Sequence, residues 1–335
     1  MHLHCECWTQ LLSLLLLTIV TVFVISCLVL RLLSTRIPVI RREESEHYFT
    51  DPKTKQRHRF PSLLSSDEPS VYLSVIVPAF NESQRLPKML DETIDYLETR
   101  CRAKTTPFGD QLFAYEIIVV DDGSDDRTTH VAHDYSLKYG CERIRCLTLA
   151  YNRGKGGAVQ LGVLCARGRL VLFADADGAT RFADFQKLED FVAKHRDSTR
   201  SALAIGSRAH LQSEAIATRS LFRTVLMHGF HFGVWLLTVR TVRDTQCGFK
   251  LFERSMARTL FQHIHCQKWA FDVELLLIAE KLGVNIGEIA VRWTEIEGSK
   301  VVPVWSWLQM GKDVALISLK YAIGAHIYPK HSDNN

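Results

Sequence analysis

The sequence lacks the marks of several common protein classes. Its 335 residues contain no internal repeat and no low-complexity tract, and its net charge of +4 comes without the clustered Lys/Arg stripe of a nucleic-acid binder. Six of its nine cysteines lie after residue 100, and none of the six forms a Cys-x-x-Cys pair. We therefore expect no nucleic-acid partner, and we expect reduced, mostly buried thiols.

Two nucleotide-binding fingerprints are missing as well. The turn Gly154-Lys155-Gly156-Gly157 lacks the Gly-x-x-x-x-Gly-Lys-Ser/Thr spacing of a P-loop, and no hydroxyl residue follows its lysine. The Gly-x-Gly-x-x-Gly pattern of dinucleotide-binding folds does not follow the first predicted strand. A P-loop NTPase is therefore excluded, and a dinucleotide-binding domain is not indicated.

Charged residues are absent from Cys7 to Leu30, and about 20 apolar residues suffice to cross a bilayer as a helix. Met1 to Gln10 contains no Lys or Arg, whereas a cleaved signal peptide begins with a basic region. The span is followed by four arginines, Arg31, Arg36, Arg41 and Arg42. These features predict a retained single-pass anchor, with the N-terminus in the lumen and the remaining chain in the cytosol.

Composition divides the chain into four parts. Residues 1–33 form the lumenal stub and anchor, residues 34–70 are polar and proline-broken like a linker, and residues 71–301 form the catalytic domain. Residues 302–335 contain an amphipathic helix and a tail. Within the domain, residues 217–239 are apolar and suit the membrane interface. A core helix remains an open alternative for both apolar segments.

Short apolar runs alternate with helical periodicity from residue 71 onward. The runs predict four strands, Leu73–Val77, Glu116–Val120, Ile144–Leu149 and Leu170–Ala174. Strands that alternate with helices predict an α/β fold, with a mostly parallel sheet covered by helices on both faces. In such sheets, ligands bind beyond the carboxyl ends of the strands.

Each predicted strand runs into a polar cluster. The clusters are Pro78-Ala79-Phe80-Asn81-Glu82, Asp121 to Asp126, Asn152 to Gly157 and Asp175-Ala176-Asp177-Gly178. Asp175 and Asp177 share one face at a strand end, where two carboxylates suit a hard cation such as Mg²⁺ or Mn²⁺. A glycine-rich turn before a helix lets the backbone approach phosphate. Together the clusters predict a site for a nucleotide diphosphate and a divalent metal.

These ordered motifs resemble the inverting glycosyltransferases of family 2, which have the Rossmann-like GT-A fold. The motifs are LSVIVPAFNE (73–82), IIVVDDGSDD (117–126), NRGKGGAV (152–159) and LFADADGAT (172–180). Later motifs resemble the polyprenyl-phosphate sugar transferases: Gly206-Ser207-Arg208, Asp244 to Lys250, Phe271 to Glu274 and Gly298-Ser299-Lys300. The resemblance covers residues 71 to 301.

The resemblance implies transfer of glucose from UDP-glucose to dolichyl phosphate at the endoplasmic reticulum membrane, with inversion, for the lipid-linked oligosaccharides of N-glycosylation. Mannosyl enzymes of the same group typically carry Gln two positions after the second aspartate, where this chain has Ala179. That difference favours glucose and leaves the metal with one ligand fewer. The sequence leaves two alternative functions open: mannosyl or other glycosyl transfer to the same lipid, and an inactive membrane scaffold. It also leaves the oligomeric state open.

The resemblance also implies roles for individual residues. Donor binding is implied for Pro78, Phe80, Glu82, Asp121, Asp122, Lys155 and Asp175. The metal is implied at Asp177 with Asp175, and the catalytic set is Asp175, Asp177, Arg208 and Lys300. Candidates for the acceptor phosphate are Arg208, Arg219, Arg223 and Lys300. Arg219 and Arg223 could equally be snorkelling side chains at the interface.

A dedicated general base is not required for this chemistry. A phosphate monoester has a second pKa of about 6, so the acceptor already carries an oxygen anion in the cytosol. We therefore interpret Asp272, where many relatives carry a base, as a structural or orienting residue. The pairs His228 with His231 and His263 with His265 lack further ligands at zinc spacing, which favours packing or interface roles.

Overall fold

A seven-stranded sheet forms the centre of the protein in the computed structural model, which describes residues 2–104, 106–109, 112–196, 201–210, 229, 233–296 and 305–329. Its strands are β3 (Val71–Ala79), β4 (Tyr115–Asp121), β5 (Ile144–Thr148), β6 (Gly168–Ala174), β7 (Ala202–Ser207), β8 (Phe249–Glu253) and β9 (Asn285–Ala290). They lie in the order β5-β4-β3-β6-β8-β7-β9. Strand β8 is antiparallel to both neighbours and the remaining pairs are parallel, which confirms the expected mostly parallel α/β fold.

The described helices alternate with these strands. They are α1 (His2–Leu33), α2 (Leu86–Ala103), α3 (Thr128–Tyr139), α4 (Lys155–Val163), α5 (Phe185–His195), α6 (Arg254–His263), α7 (Phe271–Lys281) and α8 (Trp305–Ala322). Two short 3-10 turns, Glu44–His47 and Phe182–Asp184, and an antiparallel hairpin of β1 (Tyr48–Thr50) and β2 (Arg57–Arg59) complete the order. All four predicted strands are confirmed.

The sheet separates two apolar cores because successive side chains of a strand point to opposite faces. Val75 and Val77 of β3 face one core together with residues of α2 and α5, whereas Ile76 faces the other core with residues of α4 and α7. These side chains are fully buried. Each such burial contributes about 1.5–3 kcal/mol, so the sheet is held from both sides.

Helix α1 fits the expected membrane anchor in length and composition. Its stretch from Leu12 to Leu33 is the one helix in the described chain that is long and apolar enough to cross a membrane, and none of it is buried against the protein. The hydroxyls of Thr18 and Thr21 donate to carbonyls one turn earlier, so these polar groups are satisfied within the helix.

Residues 34–70, which the sequence suggested to be a linker, are partly packed onto the sheet domain. Phe60 and Leu63 lie in the apolar core, and the amide of Leu63 donates to the carbonyl of Leu164 at 2.9 Å. Glu46, in the first 3-10 turn, is fully buried. The polar composition of this segment reflects a hairpin and turns around a few anchoring side chains.

Helix α8 buries one stripe and exposes another. Met310, Val314, Ile317 and Tyr321 recur at three-four spacing and are buried against the body, whereas Leu308 is exposed. The amphipathic helix predicted within residues 302–335 is therefore present.

Candidate active site

The first two polar clusters meet beyond the carboxyl ends of β3 and β4. The amide of Asn81 donates to Ser124 Oγ at 2.9 Å, and the amide of Asp125 donates back to Asn81 Oδ1 at 2.9 Å. Asn81 has a φ of +52°, a conformation that Asn tolerates better than most residues. This reciprocal pair joins the two loops at one edge of the sheet.

Asp122 joins the second cluster to the third. Its two carboxylate oxygens accept hydrogen bonds from the amides of Arg153 and Gly154, at 2.7 and 2.9 Å. Burial, with the nearby charge of Asp121, raises the pKa of Asp122 to about 6, although both amides oppose the shift. Asp122 therefore shapes the glycine-rich turn rather than presenting both oxygens to a ligand.

Lys155 joins the third cluster to the fourth. It begins α4, and its Nζ lies 2.6 Å from Asp175 Oδ1. Burial by itself lowers the pKa of Lys155, but the carboxylates of Asp175 and Asp272 outweigh it and raise the pKa. The expected convergence of the four clusters on one sheet edge is therefore observed.

Gly248 leaves the space that Asp175 occupies. A Cβ atom at Gly248 would lie 2.0 Å from Asp175 Oδ2, and the Asp175 amide donates to the Gly248 carbonyl at 3.0 Å. A short carboxylate side chain cannot yield that much space without leaving its position. Glycine is required here because the antiparallel strand β8 begins directly beside the end of β6.

Asp177 lies on the same loop, and the charge of Arg85, a residue that the sequence analysis did not identify, acts on it. Burial and the charge of Asp175 raise the pKa of Asp177, and Lys155 and Arg85 oppose the rise. Arg85 forms an ion pair with Glu82 at 2.6 Å, and its pKa is raised by Glu82, Asp177 and Asp175 against the effect of burial. The Glu-x-x-Arg spacing at the start of α2 was the signal for this residue.

The Asp175 and Asp177 carboxylates fit a divalent cation. Both side chains are partly exposed, and Asp177 Oδ1 accepts the amide of Ala179 at 2.9 Å. The charge of Asp175 disfavours ionisation of Asp177, so a dication between the two carboxylates would relieve this repulsion, which together with burial raises the pKa of Asp177. Oxygen ligands of this kind suit Mg²⁺ and Mn²⁺.

Arg208 is placed near this group, but another residue orients it. Its guanidinium forms a forked pair with Asp244, Nε to Oδ2 at 2.8 Å and Nη2 to Oδ1 at 2.9 Å. Burial by itself lowers the pKa of Arg208, but Asp244 and, more weakly, Asp175 outweigh it and raise the pKa. The guanidinium carbon lies 5.4 Å from the centre of the Trp293 ring. The side chain remains 31% exposed, so part of it faces solvent.

Asp272 forms a fully buried ion pair. Its Oδ1 accepts Lys250 Nζ at 2.6 Å, and the same ammonium donates to the carbonyl of Cys247 at 2.7 Å. Burial raises the pKa of Asp272, whereas the charges of Lys250 and Lys155 oppose the rise. Sequence reasoning identified Asp272 but missed Lys250 as its partner, because the two lie on different elements.

The other predicted donor residues lie at the same edge. Asp121 is buried and accepts the amide of Ser124 at 3.0 Å and the hydroxyl of Thr129. Pro78 and Phe80 flank the end of β3 and are partly exposed. Arg219, Arg223, His228, His231 and the Gly298-Ser299-Lys300 motif lie outside the described residues.

A second polar cluster surrounds Glu274 of α7. Glu274 is fully buried and accepts the amides of His265 and Cys266 at 2.9 and 2.7 Å and the hydroxyl of Tyr321 at 3.0 Å. His265 and His326 lie beside it, and their rings stack at 3.5 Å with an angle of 10°. Lone pairs of parallel stacked imidazoles do not converge on one ion, so the geometry favours packing around Glu274 over a metal site.

The chain is similar to known proteins over most of its length. Residues 74–261 match the family model of glycosyl transferase family 2. The chain is 57% identical over 289 residues to a dolichyl-phosphate beta-glucosyltransferase of Drosophila melanogaster, covering 86% of each chain. It is 52% identical over 293 residues to the enzyme of that name from Homo sapiens, covering 87% of this chain and 88% of that one.

A solved structure also matches part of the chain at low identity. Glucosyl-3-phosphoglycerate synthase from Mycobacterium tuberculosis, in complex with Mn²⁺, UDP-glucose and phosphoglyceric acid, matches with a TM-score of 0.49 and 18% identity. The match covers 77% of this chain and 81% of that one.

Proposed function

Because this chain belongs to glycosyltransferase family 2, we propose that it transfers glucose from UDP-glucose to dolichyl phosphate, with inversion, giving dolichyl β-D-glucosyl phosphate and UDP. The observation that carries the proposal is the joining of four strand-end loops around Asp175, Asp177 and Lys155. The relatives named dolichyl-phosphate beta-glucosyltransferase, 38–57% identical, support the same reaction.

The nucleotide lies over the joined loops in this proposal. Asp121, Glu82, Pro78 and Phe80 border the uridine, and Asp175 is within reach of the ribose. Lys155 and Arg85 bring positive charge to the diphosphate side, where both already face Asp175 and Asp177. Charge that develops on departing UDP is therefore met by cations that are in place before the reaction.

Asp177, with Asp175, would hold the Mg²⁺ or Mn²⁺ on the donor. When bound, such a cation neutralises charge on the diphosphate. The two carboxylates supply oxygen ligands, and Ala179 adds none where mannosyl relatives have Gln. Lys155 and Arg85 supply further positive charge to the same region.

The acceptor phosphate needs no proton removed by the protein. Its second pKa of about 6 leaves an oxygen anion to attack the anomeric carbon. Arg208 can attract that dianion, because Asp244 fixes its guanidinium while part of the side chain stays exposed. Arg219, Arg223 and Lys300 remain proposed partners of the acceptor. Asp272, paired with Lys250, is not a base in this proposal.

The protein is proposed to lie in the endoplasmic reticulum membrane, with α1 as its anchor and the sheet domain in the cytosol. Trp235 and Leu236 are each 51% exposed and Leu237 is 43% exposed, within the segment 217–239 that we assign to the interface. Arg240 follows, with its guanidinium 5.8 Å from the Trp235 ring centre. Exposed aromatic and aliphatic side chains next to an arginine suit lipid headgroups.

Purified full-length protein in detergent tests the reaction. It is incubated with dolichyl phosphate, radiolabelled UDP-glucose or GDP-mannose, and Mg²⁺, Mn²⁺ or a chelator. Label should enter the lipid from UDP-glucose, and the chelator should abolish the transfer. Transfer from GDP-mannose and none from UDP-glucose would show that the donor assignment is wrong.

Replacing Asp177 by Asn tests the metal site. The Asp177→Asn variant should lose metal-dependent transfer by at least about a hundredfold while its thermal midpoint stays near that of wild type, because the side chain keeps its shape. Asp190→Asn on α5 is the matched control, since Asp190 is exposed and contacts Gln186. Full activity in Asp177→Asn would remove Asp177 from the mechanism.

A further inference from the structure

A buried carboxylate from the segment just after the membrane anchor reaches the donor side of the domain. We call residues 41–47 the juxtamembrane segment. Its Glu46 is fully buried, although glutamate is rarely buried without a partner. The partner is Arg153, whose Nη2 lies 2.8 Å from Oε1 and 2.7 Å from Oε2.

Main-chain donors complete the bonding of Glu46. The amide of Ala150 donates to Oε1 at 3.0 Å and the amide of Glu43 donates to Oε2 at 3.0 Å. Each oxygen thus accepts a charge-assisted bond and an amide bond. Bonding of this kind is what allows a charge to stay ionised away from water.

Arg153 is held from three sides. Besides Glu46, its Nη1 donates to the carbonyl of Arg41 at 2.9 Å, and its guanidinium carbon lies 4.3 Å from the Tyr151 ring centre. Its own amide donates to Asp122 at 2.7 Å. Arg153 therefore links the juxtamembrane segment to the loop at the end of β4.

The turn that contains Arg153 also carries Lys155. Gly154 is fixed by Asp122, and Lys155 then meets Asp175 at 2.6 Å. We propose that Glu46 is a positioning residue for the nucleotide: through Arg153 it holds the turn 152–157 in place, which makes the juxtamembrane segment part of the donor site. This rests on the proposed function, in which that turn contacts the donor.

The physical consequence of losing the carboxylate is a displaced turn. The Arg153 side chain is 3% exposed, so its charge without Glu46 must either move toward water or stay buried and uncompensated. Movement of the guanidinium draws the backbone at 153 with it, two residues from Lys155. Misplacement of a binding group by about 1 Å is enough to weaken its contribution strongly.

The experiment uses full-length protein in detergent micelles. Glu46→Gln should raise the Kd for UDP, measured by titration calorimetry, and the KM for UDP-glucose by about tenfold, and should leave the KM for dolichyl phosphate within about twofold. The matched control is Glu189→Gln, because Glu189 is also fully buried and pairs with Arg100 at 2.9 Å between α2 and α5. It should lower the thermal midpoint and leave the Kd for UDP unchanged.

Arg153→Lys covers the case in which Glu46→Gln does not fold. Lysine keeps the charge opposite Glu46 but loses the fork that also reaches the Arg41 carbonyl, so the Kd for UDP should rise about threefold to tenfold. A wild-type Kd in the variant that folds, or an equal rise in Glu189→Gln, would overturn the proposal. Each ratio divides the Kd of a variant by the Kd of wild type for the same nucleotide. A wild-type protein that binds GDP and not UDP would therefore overturn the proposed function but not the role of Glu46. The ratios are then measured with GDP.

Discussion

The pairing of Asp272 with Lys250 predicts that Asp272→Asn damages the fold more than the chemistry. Lys250 is fully buried and its ammonium lies 2.6 Å from Asp272, 2.7 Å from the Cys247 carbonyl and 5.1 Å from the centre of the Phe173 ring. In Asp272→Asn the ammonium keeps the Cys247 carbonyl, the Phe173 ring and an uncharged amide as near neighbours, and the charge of Asp244 still acts on it. Removing one partner of such a pair costs about 3–5 kcal/mol.

The cost of deprotonating a lysine gives an independent upper limit, of the same magnitude, for the stability that Asp272→Asn loses. Deprotonating an ordinary lysine at pH 7 costs about 4.6 kcal/mol, because its pKa of about 10.4 lies above the solution pH. The variant cannot lose much more than this, since the amine can become neutral instead. About 2 °C is lost for each kcal/mol in a domain of this size, so the thermal midpoint should fall by roughly 6–10 °C.

The assay measures the thermal midpoint and the initial rate of glucosyl transfer for three proteins. Asp272→Asn should show the lower midpoint, and the double variant Lys250→Met with Asp272→Val should recover most of it, because an apolar pair of roughly similar volume needs no charge partner. The double variant should keep at least about a tenth of wild-type turnover. An unchanged midpoint in Asp272→Asn with turnover reduced by more than a hundredfold would refute the reasoning and make Asp272 catalytic.

Three further predictions concern the donor loops and the orientation of the chain. Gly248→Ala should reduce turnover at least about tenfold, because the added Cβ displaces the Asp175 carboxylate. Gly311→Ala is the control: its Cβ meets open space in α8, so the variant should be neutral or slightly stabilising in the same rate and midpoint assays. Burial raises the pKa of Asp122 to about 6, so the folded state holds this proton more tightly than the unfolded state does. The stability that the proton contributes is complete below about pH 4 and is lost as the pH rises through 6. The thermal midpoint of wild type should therefore fall relative to that of Asp122→Asn between pH 4 and 6. Asn81, in an Asn-Glu-Ser sequence, should carry no glycan in cells, as judged by an unchanged gel mobility after endoglycosidase treatment, and a shift would reverse the proposed orientation.

Much of the sheet and the location of the site could be predicted because both depend on local patterns. Apolar runs of five to seven residues identify buried strands, and the polar clusters that follow them must meet when the strands are parallel. Strands β7, β8 and β9 were not predicted, and the antiparallel pairing of β8 with β6 and β7 joins residues far apart in the chain. That pairing places Gly248 against Asp175.

The partners of the charged site residues could not be predicted from spacing. Lys250 and Asp272, or Arg208 and Asp244, lie on different elements, and which carboxylate meets which cation depends on how those elements pack. Residues 34–70 show the same limit: polar composition indicated a linker, but Phe60, Leu63 and the buried Glu46 attach this segment to the domain.

The amino-acid sequence by itself determined the apolar N-terminal helix, the alternation of strands and helices, and the four acidic or glycine-rich loops, because hydrophobic periodicity and turn chemistry act over a few residues. Tertiary structure alone decided that Asp122 holds a turn, that Asp272 neutralises a buried lysine and that Glu46 reaches Arg153. These roles depend on distances between residues remote in sequence, because the packing of the helices and strands decides which partner each buried charge meets.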